Sequence, residues 1–148
     1  NTNVDVPALP PDIFAAFETD GTVIFDVGGD DDGAIVLGRF FSRFQEAPYD
    51  MLGVVNTRRP LTGTQEEIVQ GLRDIEAVSR LRFTGLVNNT NLTYETTSEI
   101  VEESLPLVEG AAGEMGLPVR FVCAERRIAE KLQPGADLFP LDRKLKQW

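Results

Sequence analysis

The sequence predicts an α/β fold in which a mainly parallel β-sheet lies between two helical layers. Short runs rich in β-branched and aromatic residues alternate with longer segments of helical period. The first of these runs, at 22–27, has the apolar character of a strand that is covered on both faces. Strands that alternate with helices form right-handed crossovers, which make neighbouring strands parallel. The length of 148 residues is that of one domain, so we expect a single α/β domain over residues 1–148.

The predicted elements follow one another without a linker or a repeat. Strands are expected where the apolar runs are uninterrupted, and helices where apolar residues recur at the 3.6 period. In chain order the prediction is a short helix from Pro10 to Gly21, a strand at 22–27, a helix at 31–45, a strand at 51–55, a helix at 64–79, a strand at 83–87, a helix at 96–116, a strand at 119–123, a short helix at 125–132 and a tail from Pro134.

Capping signals support the two longest helices. Thr64 and Glu67 have the spacing of a capping box, and so do Thr96 and Glu99. Gly116 follows the last apolar residue of the second of these helices and is expected to end it, because glycine readily adopts the left-handed conformation. The helix boundaries are therefore predicted from local chemistry as well as from periodicity.

Composition excludes several classes of function. The net charge of −10 argues against a nucleic-acid surface and against binding to an anionic membrane. No apolar run approaches the roughly 20 residues that span a bilayer. The chain has no histidine, which excludes Ser-His-Asp triads and most zinc sites. Its one cysteine, Cys123, cannot form an internal disulfide, so we expect a reducing, cytoplasmic location.

Polar residues follow the first three predicted strands, and they are the candidate binding residues. In open parallel sheets, ligands bind outside the carboxyl ends of the strands. We therefore expect these side chains to emerge on one common rim. They are Asp26, Gly28 and Gly29 after the first strand, Asn56 after the second, and Asn88 and Asn89 after the third.

Each candidate has a second, plainer interpretation. Asp26 can lie beside a magnesium ion or its water, and Gly28 and Gly29 let backbone N–H groups approach a phosphate. An acidic strand end followed by a glycine turn gives the same sequence pattern without any ligand. The asparagines can bind the edge of a purine, or they can cap backbone groups at the strand ends. Arg58 and Arg59 can hold a phosphate or form a surface pair.

Two further sequence patterns are interpreted as structural and not as binding sites. Residues 30–33 read Asp-Asp-Asp-Gly, which resembles half of a calcium loop, but Arg39 then falls where the bidentate glutamate should be. These acids are expected to cap the following helix. Cys123 lies at the end of a strand and is expected to be a small packed residue.

Three motifs together resemble a known family. They are Ile-Phe-Asp-Val-Gly-Gly at 24–29, Val-Val-Asn at 54–56 with Arg59-Pro60, and Thr-Gly-Leu-Val-Asn-Asn-Thr-Asn-Leu at 84–92. They resemble the later two-thirds of ParA/MinD-like P-loop ATPases, and more narrowly a bacterial branch with the same Val-Gly-Gly and Val-Asn-Asn sequences. The resemblance covers nearly the whole chain.

The resemblance implies a nucleotide site with ATP and Mg²⁺ as ligands of the full-length protein. Asp26 is then the aspartate near Mg²⁺, and Gly29 directs its N–H toward the γ-phosphate. Asn56 lies on the same rim. Asn88 or Asn89 reads the adenine, and Asn88 is favoured because it directly ends the strand.

One departure from the family changes the expected activity. The family needs G-x-x-x-x-G-K-[ST], whose amides and lysine cradle the phosphates, and this chain has no such motif. Its lysines are Lys131, Lys144 and Lys146 only. We therefore expect a fragment without its N-terminal P-loop portion, one that binds nucleotide and is not a catalyst alone. ATP hydrolysis is expected if the full-length protein supplies the loop.

Two alternative functions remain open. The chain could be a non-enzymatic partner-binding module that keeps the fold without phosphate binding, or, with less support, a receiver-type domain built around its acidic residues.

In the family, the P-loop strand pairs beside the strand that bears Asp26. Without that strand an apolar sheet edge is exposed, so we expect a homo-oligomer.

Overall fold

The fold centres on a four-stranded, fully parallel sheet whose strand order follows the chain. A computed structural model describes residues 13–29, 31–133 and 135–142. The sheet order is β1-β2-β3-β4, and all three strand pairs are parallel. The predicted α/β class with a parallel sheet is confirmed. The strands are Leu52–Val55 (β1), Gly85–Asn88 (β2), Val119–Glu125 (β3) and Asp137–Leu141 (β4).

The described part of the chain has six α-helices and one 3₁₀ turn; α1 to α3 precede β1, and the others connect the strands. The predicted capping box of Thr64 and Glu67 is present, because each side chain bonds the other residue's backbone N–H. The N-cap of α5 is Thr97, one residue after the predicted Thr96, and Gly116 ends α5 with φ 68°. The helices are Ile13–Ala16 (α1), Asp31–Arg39 (α2), Phe41–Phe44 (α3), Gln65–Ser79 (α4), Ser98–Met115 (α5) and Arg126–Ala129 (α6), and the 3₁₀ turn is Thr93–Glu95.

The main core lies between one face of the sheet and helices α4, α5 and α6. Val55 and Leu86 pack against α4 and α5, and Val122 and Ala124 pack against α5 and α6. These four side chains lie on the same face, since Val55 pairs with Asn88 and Asn88 pairs with Val122. In a sheet whose strands follow chain order, crossovers of one hand all place their helices on the same face.

The opposite face carries exposed apolar side chains. Leu52 and Val54 are 38% and 63% exposed, and Phe139 and Leu141 are 50% and 41% exposed. A second helical layer over these side chains is not formed by the described residues. The expected three-layer arrangement needs strands added in the reverse direction, and the order β1-β2-β3-β4 contains no reversal.

The predicted first strand, residues 22–27, does not form. This segment pairs with no strand of the described chain, and Ile24 is 88% exposed. Phe25 instead packs in a cluster of aromatic rings, 5.3 Å from Phe17 and 5.9 Å from Phe44 between ring centroids. An apolar run becomes a strand only where a neighbouring backbone bonds its N–H and C=O groups. The exposed sheet edge is therefore that of β1, and not that of the segment with Asp26.

The predicted helix at 31–45 is divided into α2 and α3 at Phe40. The Phe40 ring is 5% exposed and stacks 5.5 Å from Phe17, so burial of this ring accompanies the break. Helix α2 packs closely on α4. A Cβ at Gly38 would lie 3.0 Å from the carbonyl oxygen of Val78, and Arg80 donates to the carbonyl of Gly38 at 2.7 Å.

The strand β4 was not predicted. It contains Pro140, which has no backbone N–H, and a proline in a short run argues against a strand. The structure accommodates Pro140 because β4 is at the edge of the sheet and pairs only with β3 in the described part of the chain. This strand brings Leu141 and Asp142 to the carboxyl ends of the other strands.

Candidate functional site

The ends of β1 and β2 lie side by side, as the sequence predicts. Val55 pairs with Asn88, and the N–H of Asn89 donates to the carbonyl of Val55 at 2.8 Å. Asn56, Asn88 and Asn89 are thereby brought to one rim. Asp26 lies in the segment outside the sheet and does not follow a strand. The predicted common rim is therefore present for the asparagines and not for Asp26.

Asn56 connects two loops of this rim. Its side-chain amide donates to the carbonyl of Asn91 at 3.0 Å, and its Oδ1 accepts from the N–H of Asn91 at 3.3 Å and of Arg58 at 3.0 Å. All these partners belong to the protein. Asn56 therefore holds the loop after β1 against the loop after β2.

Asn88 is fully buried, and its side chain bonds only inside the protein. It is 0% exposed, its amide donates to the hydroxyl of Ser104 at 2.8 Å, and its Oδ1 accepts from the N–H of Thr90 at 3.0 Å. A side chain without exposed surface cannot read a base. The preference for Asn88 over Asn89 as the adenine reader is therefore wrong, and the reason is the pleat, which directs Asn88 toward α5.

Asn89 differs from its three asparagine neighbours. Among the described residues its side-chain amide makes no hydrogen bond, whereas Asn91 donates to the carbonyl of Asn89 at 2.8 Å and accepts from the N–H of Thr93 at 3.3 Å. Asn89 is half-buried and lines a cavity. It therefore presents one acceptor and two donors to whatever occupies that cavity.

This cavity, called the rim cavity below, lies at the carboxyl ends of β2, β3 and β4. Its volume is about 370 Å³, which falls within the roughly 300–1,000 Å³ typical of small-molecule sites. Seven of its eleven lining residues are polar or charged, and the other four are apolar. The lining residues are Asn89, Thr90, Asn91, Thr93, Thr96, Cys123, Ala124, Glu125, Ile128, Leu141 and Asp142.

The loop that forms one wall of the rim cavity is held by internal hydrogen bonds. Thr96, 6% exposed, accepts from the N–H of Leu92 at 2.8 Å and donates to the carbonyl of Thr93 at 2.9 Å. Thr90 accepts from the N–H of Thr57 at 3.1 Å. The wall is thus formed before any ligand arrives, which lowers the cost of ordering a binding loop.

Charged pairs surround the cavity. Arg126 contacts both carboxylate oxygens of Asp142 at 2.7 Å, and Arg127 pairs with Glu125 at 3.1 Å. The hydrogen bond from Arg126 lowers the pKa of Asp142. Burial raises the pKa of the Cys123 thiol, so this group is protonated at neutral pH.

The loop after β1 contains two arginines with different surroundings. Arg58 forms an ion pair with Glu103 of α5. Arg59 is exposed, and its guanidinium has no ionic partner among the described residues. Arg59 is therefore the better placed of the two to bind an anionic group of a ligand.

Asp26, Gly28 and Gly29 lie just before α2. Asp26 is exposed, and a Cβ at Gly33 would lie 2.0 Å from the carbonyl oxygen of Gly28, so this turn packs tightly on the start of α2. Within the described ranges, no three His, Cys, Asp or Glu side chains form a group that could hold a metal ion. Magnesium in nucleotide sites takes one or two carboxylates together with phosphates and water. Asp26 therefore fits Mg²⁺ only beside a bound nucleotide.

Several lining residues were not among the sequence candidates. Thr90 and Thr96 are polar residues of the loop after β2, and the sequence signal for them was the run of Asn and Thr at 88–97. Leu141 and Asp142 had no such signal, because they reach the cavity only through β4. Cys123 was expected to be packed, and it is half-buried at the cavity wall.

Comparisons with known proteins leave the family open. No protein-family model, no curated protein and no solved structure matches this chain. In the described part of the chain, no helix is long and apolar enough to cross a bilayer.

Proposed function

We propose that the chain is a nucleotide-binding domain and that the rim cavity holds the base, with Asn89 as the residue that reads it. The observation that carries the proposal is the side chain of Asn89. It is the one rim asparagine whose amide makes no hydrogen bond among the described residues, and it lines a cavity of about 370 Å³. Among the described residues no buried side-chain N or O lacks a hydrogen-bond partner, so the half-buried Asn89 amide is open to solvent and available to a ligand in the cavity.

The position of the cavity supports the same proposal. Ligands of parallel α/β sheets bind outside the carboxyl ends of the strands, which is where the cavity lies. Its walls place apolar side chains such as Leu141 and Ile128 beside several polar ones, so the cavity offers both apolar surface and hydrogen-bonding groups to a heteroaromatic ring. The resemblance to ParA/MinD-like ATPases makes ATP the first ligand to test.

The phosphates are proposed to lie toward Arg59, which is exposed at the end of β1 and can pair with an anion. The roles of Asp26 beside Mg²⁺ and of Gly28 and Gly29 beside the phosphates depend on the resemblance. The chain contains no glycine-lysine loop. We therefore propose that this chain binds the nucleotide, and that ATP is hydrolysed only where a full-length protein supplies that loop.

Calorimetric titration of the chain with Mg-ATP and with adenosine tests the proposal. Asn89→Ala removes the reading amide and should weaken both ligands by about tenfold, the effect of one to two hydrogen bonds. Arg59→Ala should weaken ATP and leave adenosine unchanged. Gln70→Ala, an exposed amide on α4 that bonds only to Asp74, is the matched control and should change neither. Absence of any binding by the unmodified chain would overturn the proposal.

A second candidate function is protein binding, including pairing with another copy of the chain. The observation that favours it is the exposed apolar sheet face, with Val54 63% and Phe139 50% exposed, next to the edge of β1. An exposed edge strand offers N–H and C=O groups to another chain. Light scattering of the chain and of Val54→Lys tests it, since a β1-mediated oligomer should dissociate in the variant. A monomeric unmodified chain would exclude self-association.

A further inference from the structure

The strand β4 forms one edge of the sheet and pairs with β3 at each of its five residues. It pairs only with β3 among the described strands, and four of its five residues are exposed. Leu138 packs against the core beneath α6, and the rings of Phe139 and Phe121 lie 5.7 Å apart. Yet the end of β4 supplies Leu141 to the wall of the rim cavity.

One charged pair fastens this end of β4. Arg126 is the first residue of α6, and Asp142 directly follows β4. The guanidinium Nε and Nη2 donate to the two carboxylate oxygens of Asp142, each at 2.7 Å. Two parallel bonds fix orientation as well as distance, which a single contact does not.

We propose that Arg126 and Asp142 form a clasp that holds the β4 wall of the rim cavity closed and thereby controls access to it. The pair joins α6 to the residue after β4, and Asp142 itself lines the cavity. Opening the pair frees Asp142, which lies beyond the paired residues, and leaves Leu141 at the last position of the pairing with β3. That the occupant is a nucleotide depends on the function proposed above, whereas the clasp itself does not.

Cys123 reports on the state of the clasp. It is the only cysteine of the chain, it lines the rim cavity and it is half-buried. Its rate of alkylation by iodoacetamide, a small neutral reagent, therefore measures how far the wall formed by β3 and β4 is exposed, without any ligand. Because both partners of the clasp are exposed, by 54% and 68%, added salt should weaken the pair and raise this rate.

Two single variants separate the clasp from a simple charge effect. Asp142→Asn removes a negative charge, which favours the thiolate and raises its reactivity. Arg126→Gln removes a positive charge, which disfavours the thiolate and lowers reactivity. The clasp predicts instead that both variants are alkylated faster, by about threefold for loss of an exposed bidentate pair. Both should also lose the salt dependence of the unmodified chain.

Two further variants complete the test. The exchanged double variant, Arg126→Asp with Asp142→Arg, should restore slow alkylation. Arg73→Gln opens a comparable exposed pair, Arg73 with Glu114 at 3.1 Å between α4 and α5, and should leave the rate unchanged. Unchanged rates in both single variants, or rates that move in opposite directions, would refute the clasp.

Repeating the alkylation with Mg-ATP keeps the two proposals apart. If ATP protects Cys123 in the unmodified chain, the cavity is the nucleotide site, and the clasp variants should also bind ATP more weakly. If ATP gives no protection and does not bind, the proposed function fails, and the rates in the absence of ATP still decide whether the clasp exists.

Discussion

Asn56 and Asn91 are joined by two hydrogen bonds, from the side-chain amide of Asn56 to the carbonyl of Asn91 at 3.0 Å and from the N–H of Asn91 to Oδ1 of Asn56 at 3.3 Å. One side chain thereby satisfies both backbone groups of a residue 35 positions away. The loops after β1 and β2 are fixed to each other at this point. The shape of the rim cavity follows from it, because Asn91 and its neighbours form one wall.

Replacing Asn56 by Ala should therefore destabilise the protein and loosen the rim. Three hydrogen bonds of a half-buried amide are lost, and we expect the free energy of unfolding to fall by about 2 kcal/mol. Urea unfolding followed by circular dichroism measures this. Gln70→Ala on the surface of α4 should change it by less than about 0.5 kcal/mol. Equal effects of the two substitutions would show that the Asn56 bridge contributes nothing to stability.

Substitution of Asn88 should lower stability, whereas substitution of Asn89 should weaken nucleotide binding. Asn88→Ala leaves the N–H of Thr90 and the hydroxyl of Ser104 without a buried partner, and we expect a loss of about 3 kcal/mol in the free energy of unfolding. Asn89→Ala should change stability by less than about 0.5 kcal/mol, because its amide makes no bond among the described residues. Parallel unfolding and ATP titrations of both variants check this. A large stability loss in Asn89→Ala would contradict the assignment of its amide to a ligand.

Two glycines should respond to alanine in opposite directions. A Cβ at Gly53 in β1 would lie 2.8 Å from Cδ2 of both Leu72 and Leu86, so Gly53→Ala overfills the core and should cost about 1–2 kcal/mol. Gly71 lies inside α4 with no atom within 4 Å of an added Cβ, so Gly71→Ala should stabilise by about 0.5–1 kcal/mol. Thermal unfolding of the two variants distinguishes them. A stabilising Gly53→Ala would mean that this part of the core is loosely packed.

Glu99 should make stability depend on acid pH. A hydrogen bond to its own backbone N–H, followed by one to Thr97, lowers the pKa of Glu99 below 4.5 at the start of α5. A lowered folded-state pKa gives stabilisation that is present above the ordinary pKa of the carboxyl and is lost as pH falls through the folded value. Glu99→Gln should therefore be less stable than the unmodified chain at pH 7, and the difference should vanish once the pH is below the folded-state pKa of Glu99.

Urea midpoints of both chains between pH 7 and pH 3 give this difference directly. Because every other carboxyl group titrates in both chains alike, only the gap between the two curves reports on Glu99. A gap that stays constant, or that widens in acid, would show that the charge of Glu99 does not stabilise the start of α5.

The first three strands of the sheet were predictable because their sequence signals are local. The runs at 51–55, 83–87 and 119–123 correspond to β1, β2 and β3, which begin or end within two residues of the prediction. The capping box at Thr64 and the left-handed Gly116 depend on neighbours in sequence, so they too were predicted.

The remaining features depend on contacts between distant residues. Residues 22–27 have the composition of a strand, but whether they pair is decided by the presence of a partner strand. β4 forms despite Pro140 because β3 offers it an edge. The choice between Asn88 and Asn89 could not be made from composition, since the residues are identical. It follows from the pleat, which directs one side chain to Ser104 and leaves the other at the rim cavity.

Pro140 makes the two ends of the sheet unequal. β4 contains a residue that cannot donate a hydrogen bond, whereas β1 consists of Leu, Gly and Val, so each of its outward backbone N–H groups can donate. Of the two edges formed by the described strands, β1 is therefore the one suited to strand addition. When the β1 edges of two copies pair, the outward N–H and C=O groups of each strand bond to the other. No β1 edge is then left for a third copy, so assembly of this kind stops at a dimer and does not grow into a fibre.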